Sequence, residues 1–230
     1  MAKEAGVVTV VDGVSYAAHG FPDIKDLGCD VYLFSLYKTY GPHQGLMVVR
    51  ESLLPTLANQ GHFFNDTNVR KRLVPAGPDH AQVAAAAGIA ESYDSVFQHH
   101  FPNEIASSQN RRTKIHQLFR EHEVNLLKPL LKFCNDRDGV HLIGPNDPTL
   151  RAPTVSLNVG EDSLQWVKKL ADEKIMCSAG HFYAQRLVSA LNLPVDSGVL
   201  RLSFVHYTSE EDIQQLIHAL DTVAKQLNNS

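Results

Sequence analysis

The sequence contains little of what stabilises small secreted or metal-bound proteins. It has three cysteines among 230 residues, Cys29, Cys134 and Cys177, and their spacing matches no disulfide framework and no zinc motif. So few cysteines are typical of a reducing compartment, and we expect each to be a small buried side chain. No apolar run approaches the length of a membrane span, and the first residues lack a signal-peptide core. The sequence therefore predicts a cytoplasmic protein without a membrane partner.

A basic surplus and the common metal motifs are also missing. Lysine plus arginine number 21 against 25 acidic residues, which gives a net charge of −4 and argues against nucleic acid as a partner. The twelve histidines show no HExxH spacing, so we expect no metal site. With 43% hydrophobic residues, the chain can bury a sizeable core in one large or two small domains.

Two short β-branched runs are present, and each leads to a reactive side chain. Val7–Val11 leads directly into Asp12. Val31–Phe34 is followed, four residues later, by Lys38. Such runs, bounded by Gly, Asp and Pro, predict buried strands of an open α/β sheet. Since these sheets place ligands outside the carboxyl ends of their strands, we expect the acid and the amine to face one crevice.

An acid and an amine that converge on one crevice suit pyridoxal 5′-phosphate. A lysine forms the Schiff base with this cofactor, and a carboxylate pairs with its protonated pyridine nitrogen. Burial beside Tyr37 and Tyr40 would make the Lys38 amine easier to deprotonate. Each residue also has a simpler interpretation, because a loop lysine is usually a surface charge and an aspartate after a strand often caps the next turn. The pair, one strand–helix–strand step apart, is more informative than either residue alone.

The rest of the chain alternates helices and strands. Further strands are predicted at Gly45–Val49, Val140–Ile143, Thr154–Val159, Lys174–Ser178 and Val199–Val205. Helices are predicted at Phe21–Gly28, Glu51–Gln60, Asp79–Phe97, 102–134, Ser163–Glu173, Tyr183–Leu191 and Glu210–Leu227. Phe63–Pro78 reads as a long loop, and Pro129 is expected to bend or split the long helix.

These elements group into three regions. We expect residues 1–100 to form part of a large domain with a mainly parallel sheet, 101–136 a connecting long helix, and 137–230 a small C-terminal α/β domain. Residues 1–5 are similar to the last turn of a helix that Gly6 stops, which predicts further chain upstream.

Four ordered motifs resemble one family of enzymes. They lie at Val10–Arg50, Arg72–Gln82, Ala179–Leu187 and Gly198–Asp212, and include YKTYGPHQG, VPAGPDH, AGHFYAQ and LRLSFVHY. Together they are similar to class V aminotransferase-like, fold-type I enzymes, and within these to the cysteine-desulfurase-like branch. The resemblance implies a PLP-dependent transferase fold, pyridoxal 5′-phosphate as cofactor, an amino-acid substrate and a homodimer.

The resemblance also implies roles for residues around the cofactor. Lys38 matches the lysine that forms the Schiff base, and Asp12 matches the partner of the pyridine nitrogen. Ser35 and Tyr37 match phosphate-binding positions, the second of which is a histidine in many relatives.

Three further positions match less closely. Ser15 stands where a glutamine often bonds the ring hydroxyl, and its shorter side chain leaves Tyr16 as an alternative. Arg201 matches the arginine that holds the substrate carboxylate in a bidentate fork, with a structural salt bridge as its simpler interpretation. Gly77 lies where relatives often carry a threonine that touches the phosphate of the neighbouring subunit. His19 follows Asp12 on the same loop, and we expect it from this position to line the cofactor crevice.

Two departures from the family pattern bear on chemistry. Cysteine desulfurases carry a mobile nucleophilic cysteine where this chain has Tyr183, and Cys177, upstream of it, is expected to be structural. Desulfuration through an enzyme persulfide is therefore not expected, whereas transamination, elimination and racemisation stay open. The chain also lacks the upstream phosphate-binding turn and the ring-stacking aromatic residue of the relatives.

Two other functions remain as alternatives. The first is a non-catalytic fragment that keeps the small domain and the dimer surfaces but does not hold the cofactor. The second is a Rossmann-like hydrolase or nucleotide binder that uses Asp12 and His19, although the sequence contains neither GxSxG nor GxGxxG.

Overall fold

Two β-sheets, one in each half of the chain, organise the structure. The structure is a computed structural model that describes residues 1–160 and 162–228. It divides into two units, Met1–Gln117 and Leu118–Ser230. The division falls within the segment that the sequence predicts as the connecting helix.

The sheet of the first unit contains three strands. They are β1 (Val10–Asp12), β2 (Val31–Ser35) and β3 (Gly45–Val49), in the order β1-β2-β3. β1 and β2 are parallel, while β3 runs antiparallel to β2. The central strand β2 is the most buried, because its apolar side chains pack on both faces, as expected for an inner strand.

The helices of the first unit are shorter than the sequence suggests. Helix α1 (Ile24–Leu27) is capped by the Asp23 carboxylate and ends at Gly28 in the left-handed conformation. The helix predicted at Asp79–Phe97 consists of two, α2 (His80–Ala85) and α3 (Ala87–His100). The helix predicted at Glu51–Gln60 is wrong: only a 3₁₀ turn forms, at Leu54–Thr56, around a proline that cannot donate a backbone hydrogen bond.

Helix α4 (Ser108–Asp136) begins in the first unit and ends in the second. Pro129 lies inside it and does not split it, since the helix continues to Asp136. In the second unit its buried side chains recur at helical spacing and form one apolar stripe. They are Leu126, Leu127, Leu130, Leu131 and Cys134.

The sheet of the second unit is antiparallel throughout. Its strands are β4 (His141–Ile143), β5 (Thr154–Asn158), β6 (Ser178–Gly180) and β7 (Val199–Ser203), in the order β4-β5-β7-β6.

The strand predicted at Lys174–Ser178 is misplaced. Lys174 has a φ of 63°, and the Ile175 N–H turns back to the Leu170 carbonyl at 2.9 Å, so the chain pairs with β7 only from Ser178 onward.

The two faces of this second sheet differ in character. Val155, Leu157, Leu200 and Leu202 are buried in a core with α4, α5 (Ser163–Asp172) and α7 (Glu210–Asn228). The residues between them on each strand, among them Ser156, Arg201 and Ser203, are polar and more exposed. A sixth helix, α6 (Gln185–Ala190), precedes β7. No helix within the described residues is both long and apolar enough to span a membrane.

Candidate functional site

Asp12 ends β1 at the edge of the sheet where β2 also ends. Its Cα pairs with Leu33, and the Gly13 N–H donates to the Leu33 carbonyl at 2.8 Å. The carboxylate is exposed, and its Oδ1 accepts a hydrogen bond from the Val14 N–H at 2.9 Å. This local turn is the capping role expected of such an aspartate, and it fixes the direction of the side chain. Within the described residues Oδ2 accepts no hydrogen bond, so it is available to a ligand.

Lys38 follows β2 in a 3₁₀ turn, Leu36–Thr39. The turn is fixed from inside, because the buried Thr39 hydroxyl donates to the Leu36 carbonyl at 2.8 Å. Tyr40 ends it in the left-handed conformation, with a φ of 66°. Lys38 itself is exposed, so the burial beside Tyr37 and Tyr40 expected from the sequence is not found. Its ammonium forms no hydrogen bond or ion pair with any described residue.

Ser35 and Tyr37 lie on the same segment as Lys38. Ser35 is the last residue of β2 and is half-buried. The Tyr37 ring stacks on His43 with 4.6 Å between centroids and 8° between planes. Stacking holds the Tyr37 ring still while leaving the residue about half exposed, at 47%.

Ser15, Tyr16 and His19 follow β1 and differ in their exposure and in their hydrogen bonds. Ser15 is exposed, and within the described residues its hydroxyl forms no hydrogen bond. The Tyr16 hydroxyl is already paired with His116 Nε2 at 3.0 Å, which makes it a poor replacement for Ser15. His19 is 4% exposed, with its ring 6.0 Å from that of Tyr16, so it packs in the interior instead of lining an open crevice.

Gly13 and Tyr32 pack against each other next to Asp12, and neither was identified from the sequence. A Cβ on Gly13 would lie 2.0 Å from the Tyr32 hydroxyl oxygen, so only glycine fits between β1 and this ring. The Tyr32 hydroxyl is buried and has no hydrogen-bond partner among the described residues. Burial, helped by nearby groups that include Asp12, raises the pKa of Tyr32. A neutral phenol therefore lies under the acidic end of β1.

The parallel pairing of β1 and β2 thus brings five of the predicted residues to one edge of the sheet. They are Asp12 at the end of β1 and Ser15 after it, and Ser35, Tyr37 and Lys38 at the end of β2 or just after it. Gly77 lies apart on the exposed loop before α2. The donor set at the edge is one carboxylate, one unpaired amine and three hydroxyls. It can fix a planar cationic nitrogen at one end and a phosphate at the other.

Arg201 lies in β7, in the middle of the second sheet. Its cross-strand neighbours are Ser156 on β5 and Ser178 on β6. The guanidinium carbon lies 3.6 Å from the centroid of the Phe182 ring, and burial lowers the pKa of Arg201. The alternative role in a structural salt bridge is not found, since no described residue forms an ion pair with Arg201. Phe182 is a residue that sequence reasoning missed, because nothing in the motif signals its backbone conformation.

The environments of the cysteines do not favour a nucleophilic thiolate. Burial raises the pKa of the half-buried Cys177 thiol and raises that of the fully buried Cys134 to about 12. Cys29 is also buried, and all three thiols are free. Tyr183 is fully exposed. Among the described residues, no group of three or more His, Cys, Asp or Glu side chains is arranged to hold a metal ion.

One family profile and several known proteins match the chain. The profile described as aminotransferase class-V matches residues 1–216. The aminotransferase-like protein FGM3 of Gibberella zeae is 33% identical over 222 residues, which is 95% of this chain and 52% of that protein. A protein of Pseudomonas aeruginosa named probable cysteine desulfurase is 30% identical over 230 residues, covering 96% and 52% of the two chains.

Two solved structures share the fold. The cysteine desulfurase CsdA from Escherichia coli superposes with a TM-score of 0.72 at 23% identity, over 98% of this chain and 53% of that one. A cysteine desulfurase from Thermococcus onnurineus NA1 gives a TM-score of 0.75 at 23% identity, over 98% and 54%. These likenesses confirm the fold class predicted from the sequence. The chain spans about half the length of the relatives it matches.

Proposed function

The chain belongs to the aminotransferase class-V family, and from this premise we propose that Lys38 carries pyridoxal 5′-phosphate covalently through its Nζ atom. Class V aminotransferases and cysteine desulfurases depend on this cofactor, so the cofactor prediction is confirmed for the family. The enzyme we propose acts on an amino acid.

One observation carries the proposal. Asp12 and Lys38 leave adjacent parallel strands at the same edge of the sheet, both exposed, and the amine is unpaired within the described residues. The residues present fit the cofactor: the available oxygen of Asp12 suits its pyridine nitrogen, and the hydroxyls of Ser35 and Tyr37 suit its phosphate. Ser15 is the remaining hydroxyl at this edge, and we assign it to the ring hydroxyl.

The chain's own residues then have distinct tasks. When bound, the cofactor supplies an electron sink for the bonds at the substrate Cα. Asp12, held through Oδ1 by the Val14 N–H, presents its other carboxylate oxygen to a protonated ring nitrogen. The Lys38 Nζ would hold the cofactor and, when free, would serve as the general base for the proton at the substrate Cα. From the resemblance we assign Arg201, in the second unit, to the substrate carboxylate.

We further propose that the reaction does not pass through an enzyme persulfide. By the family resemblance Tyr183 matches the position of the nucleophilic cysteine, and burial raises the pKa of the Cys177 thiol. Transamination, elimination and racemisation need only Lys38 as the acid–base group at Cα and stay within the proposal. We also propose a homodimer in the cytoplasm, in line with the three free cysteines.

A non-catalytic fragment is the second candidate, and one observation favours it. Lys38 is exposed instead of buried among aromatic rings. The hydrolase or nucleotide-binding alternative has lost its support, because His19 is buried and the family is established.

Absorbance separates the first two candidates. We expect the purified chain with added cofactor to develop a band at about 410–430 nm, which is the signature of the lysine-bound form. Lys38→Ala should remove the band, whereas Lys25→Ala, at another exposed lysine of the same unit, should keep it. A folded wild-type chain that shows no band at saturating cofactor would establish the fragment interpretation instead.

A further inference from the structure

The strongest unexplained contact in the second unit joins Arg201 to Phe182. At 3.6 Å from the ring centroid, the guanidinium carbon is in stacking contact with the ring, and both residues are half-buried. Arginines inside sheets are normally neutralised by an acid. Within the described residues Arg201 has no such partner, and its cross-strand neighbours are the two serines Ser156 and Ser178.

The backbone that carries Phe182 is strained. Phe182 has a φ of 47° and Tyr183 a φ of 64°, two consecutive left-handed residues of which neither is glycine. Bulky residues rarely adopt this conformation, and it persists only where the surroundings enforce it. The turn is closed by the Ala184 N–H, which donates to the His181 carbonyl at 2.7 Å. Its result is that the Phe182 ring covers Arg201 while the Tyr183 side chain is fully exposed.

A ring stacked on a guanidinium has a specific chemical effect. It covers one flat face of the group and leaves the N–H donors, which lie in the plane, free to bind an anion. Arg201 also lines an open cavity of about 510 Å³ together with Lys174, Ser178 and Ser203. Arg201 therefore borders a space large enough for a small ligand, and no described acid forms an ion pair with it.

We propose that Phe182 is a positioning residue, which holds the Arg201 guanidinium with one face covered and its N–H edge presented to a planar carboxylate. This rests on the assignment of Arg201 to the substrate carboxylate under the proposed function. The strained turn at 182–183 exists, on this proposal, to place the ring. An aromatic ring at residue 182 is needed to position the Arg201 guanidinium, whereas the exposed side chain at residue 183 does not contribute to its position.

Arginine modification tests the proposal without requiring enzymatic activity. The full chain is treated with phenylglyoxal, and peptide mass spectrometry gives the rate at Arg201 relative to the exposed Arg186 of the same unit. We expect Phe182→Leu to raise this relative rate about fivefold, the change that loss of one cation–π contact corresponds to. Phe182→Trp should restore the wild-type rate, and Tyr183→Ala should leave it unchanged.

Protection by propionate, a simple carboxylate, provides the second readout. In the wild type propionate should slow modification of Arg201 but not of Arg186, and Phe182→Leu should weaken this protection while Phe182→Trp keeps it. Equal rates and equal protection in folded wild type and Phe182→Leu would overturn the positioning role alone. No protection in the wild type would instead overturn the assignment of Arg201 to a carboxylate, whatever Phe182 does.

Discussion

At the residue scale, the buried phenol of Tyr32 is an uncompensated polar group. Its hydroxyl forms no hydrogen bond with any described residue, and it lies under Gly13 where no side chain fits. A buried hydroxyl without a partner lowers stability, and its removal is neutral or favourable. We expect Tyr32→Phe to leave the free energy of unfolding unchanged or to raise it by about 1 kcal/mol.

Urea unfolding measures this effect. Tyr183→Phe removes a fully exposed hydroxyl and serves as the control, with an expected change within about 0.5 kcal/mol. A clear loss of stability in Tyr32→Phe would show that the hydroxyl has a partner in solution.

Cys134 makes the free energy of unfolding depend on pH in the alkaline range. Burial raises its pKa from 9.0 to about 12, so the folded state keeps the thiol protonated over a range in which the unfolded state releases the proton. The stabilisation is complete below pH 9.0 and is lost as the pH rises toward about 12. Below pH 9.0 Cys134→Ala lowers stability, because it leaves a cavity.

The slope with pH is the informative measurement for Cys134. We expect the free energy of unfolding of the wild type to fall more steeply above pH 9.0 than that of Cys134→Ala. The thiol should also resist alkylation in the folded chain. Parallel curves for the two proteins would contradict the assignment.

The placement of a side chain can be predicted from the sequence when it depends on the ends of regular elements. It cannot be predicted when it depends on an unusual backbone conformation of the residue itself. The places of Asp12 at the end of β1 and of Lys38 in the turn after β2 were predictable, because parallel strands end at the same edge of a sheet. The contact of Phe182 with Arg201 was not, because it depends on a left-handed backbone that phenylalanine does not favour. The exposure of Lys38 was not predictable either, because burial depends on the packing of other elements.

At the element scale, helix α7 begins with a reciprocal cap. The Ser209 N–H donates to Asp212 Oδ2 at 2.8 Å, and the Asp212 N–H donates to Ser209 Oγ at 3.1 Å. These bonds satisfy backbone groups that the helix leaves unpaired, and they fix the start of an element whose residues Ile213, Leu216 and Leu220 enter the core.

We expect Ser209→Ala to lower the free energy of unfolding by about 1 kcal/mol. Ser189→Ala, at an exposed position inside α6, is the matched control and should have no effect or stabilise slightly. Thermal unfolding followed by circular dichroism compares the two. Equal melting temperatures would mean that the cap contributes nothing.

The bounds of elements with a strong local pattern were predicted well. The bounds of a strand that depend on its pairing with a distant strand were not. The bounds of β3 coincide with the prediction, since an apolar run follows glycine there. The run Lys174–Ser178 has strand-forming residues, but its first residues turn back toward α5 and only Ser178 pairs with β7. Local preference is a weaker determinant than the register of the partner strand.

At the scale of the whole molecule, β3 exposes apolar side chains on both of its faces. Leu46, Met47 and Val48 are 36–46% exposed, although successive residues of a strand point to opposite sides. Val10 on β1 is exposed as well, at 61%. Apolar surface of this kind on short edge strands favours association with other molecules.

We expect the chain on its own to bind the dye ANS and to self-associate as its concentration rises, because these strands are uncovered. Sedimentation velocity should show that Met47→Lys reduces the association. Met176→Lys replaces an equally apolar and fully exposed residue of the second unit and should not reduce it. A wild-type chain that sediments as a monomer at every concentration and binds no dye would refute this expectation.

Successive side chains of β7 point to opposite sides of the sheet, so residues of the core and residues of the open side can evolve separately. Leu200 and Leu202 enter the core, whereas Arg201 and Ser203 lie on the open side of the same strand. Under the proposed function, substitutions at Arg201 and Ser203 change ligand preference without creating a cavity. Substitutions at Leu200 and Leu202 change stability. Homologues can therefore diverge in specificity along this strand while the fold is inherited intact.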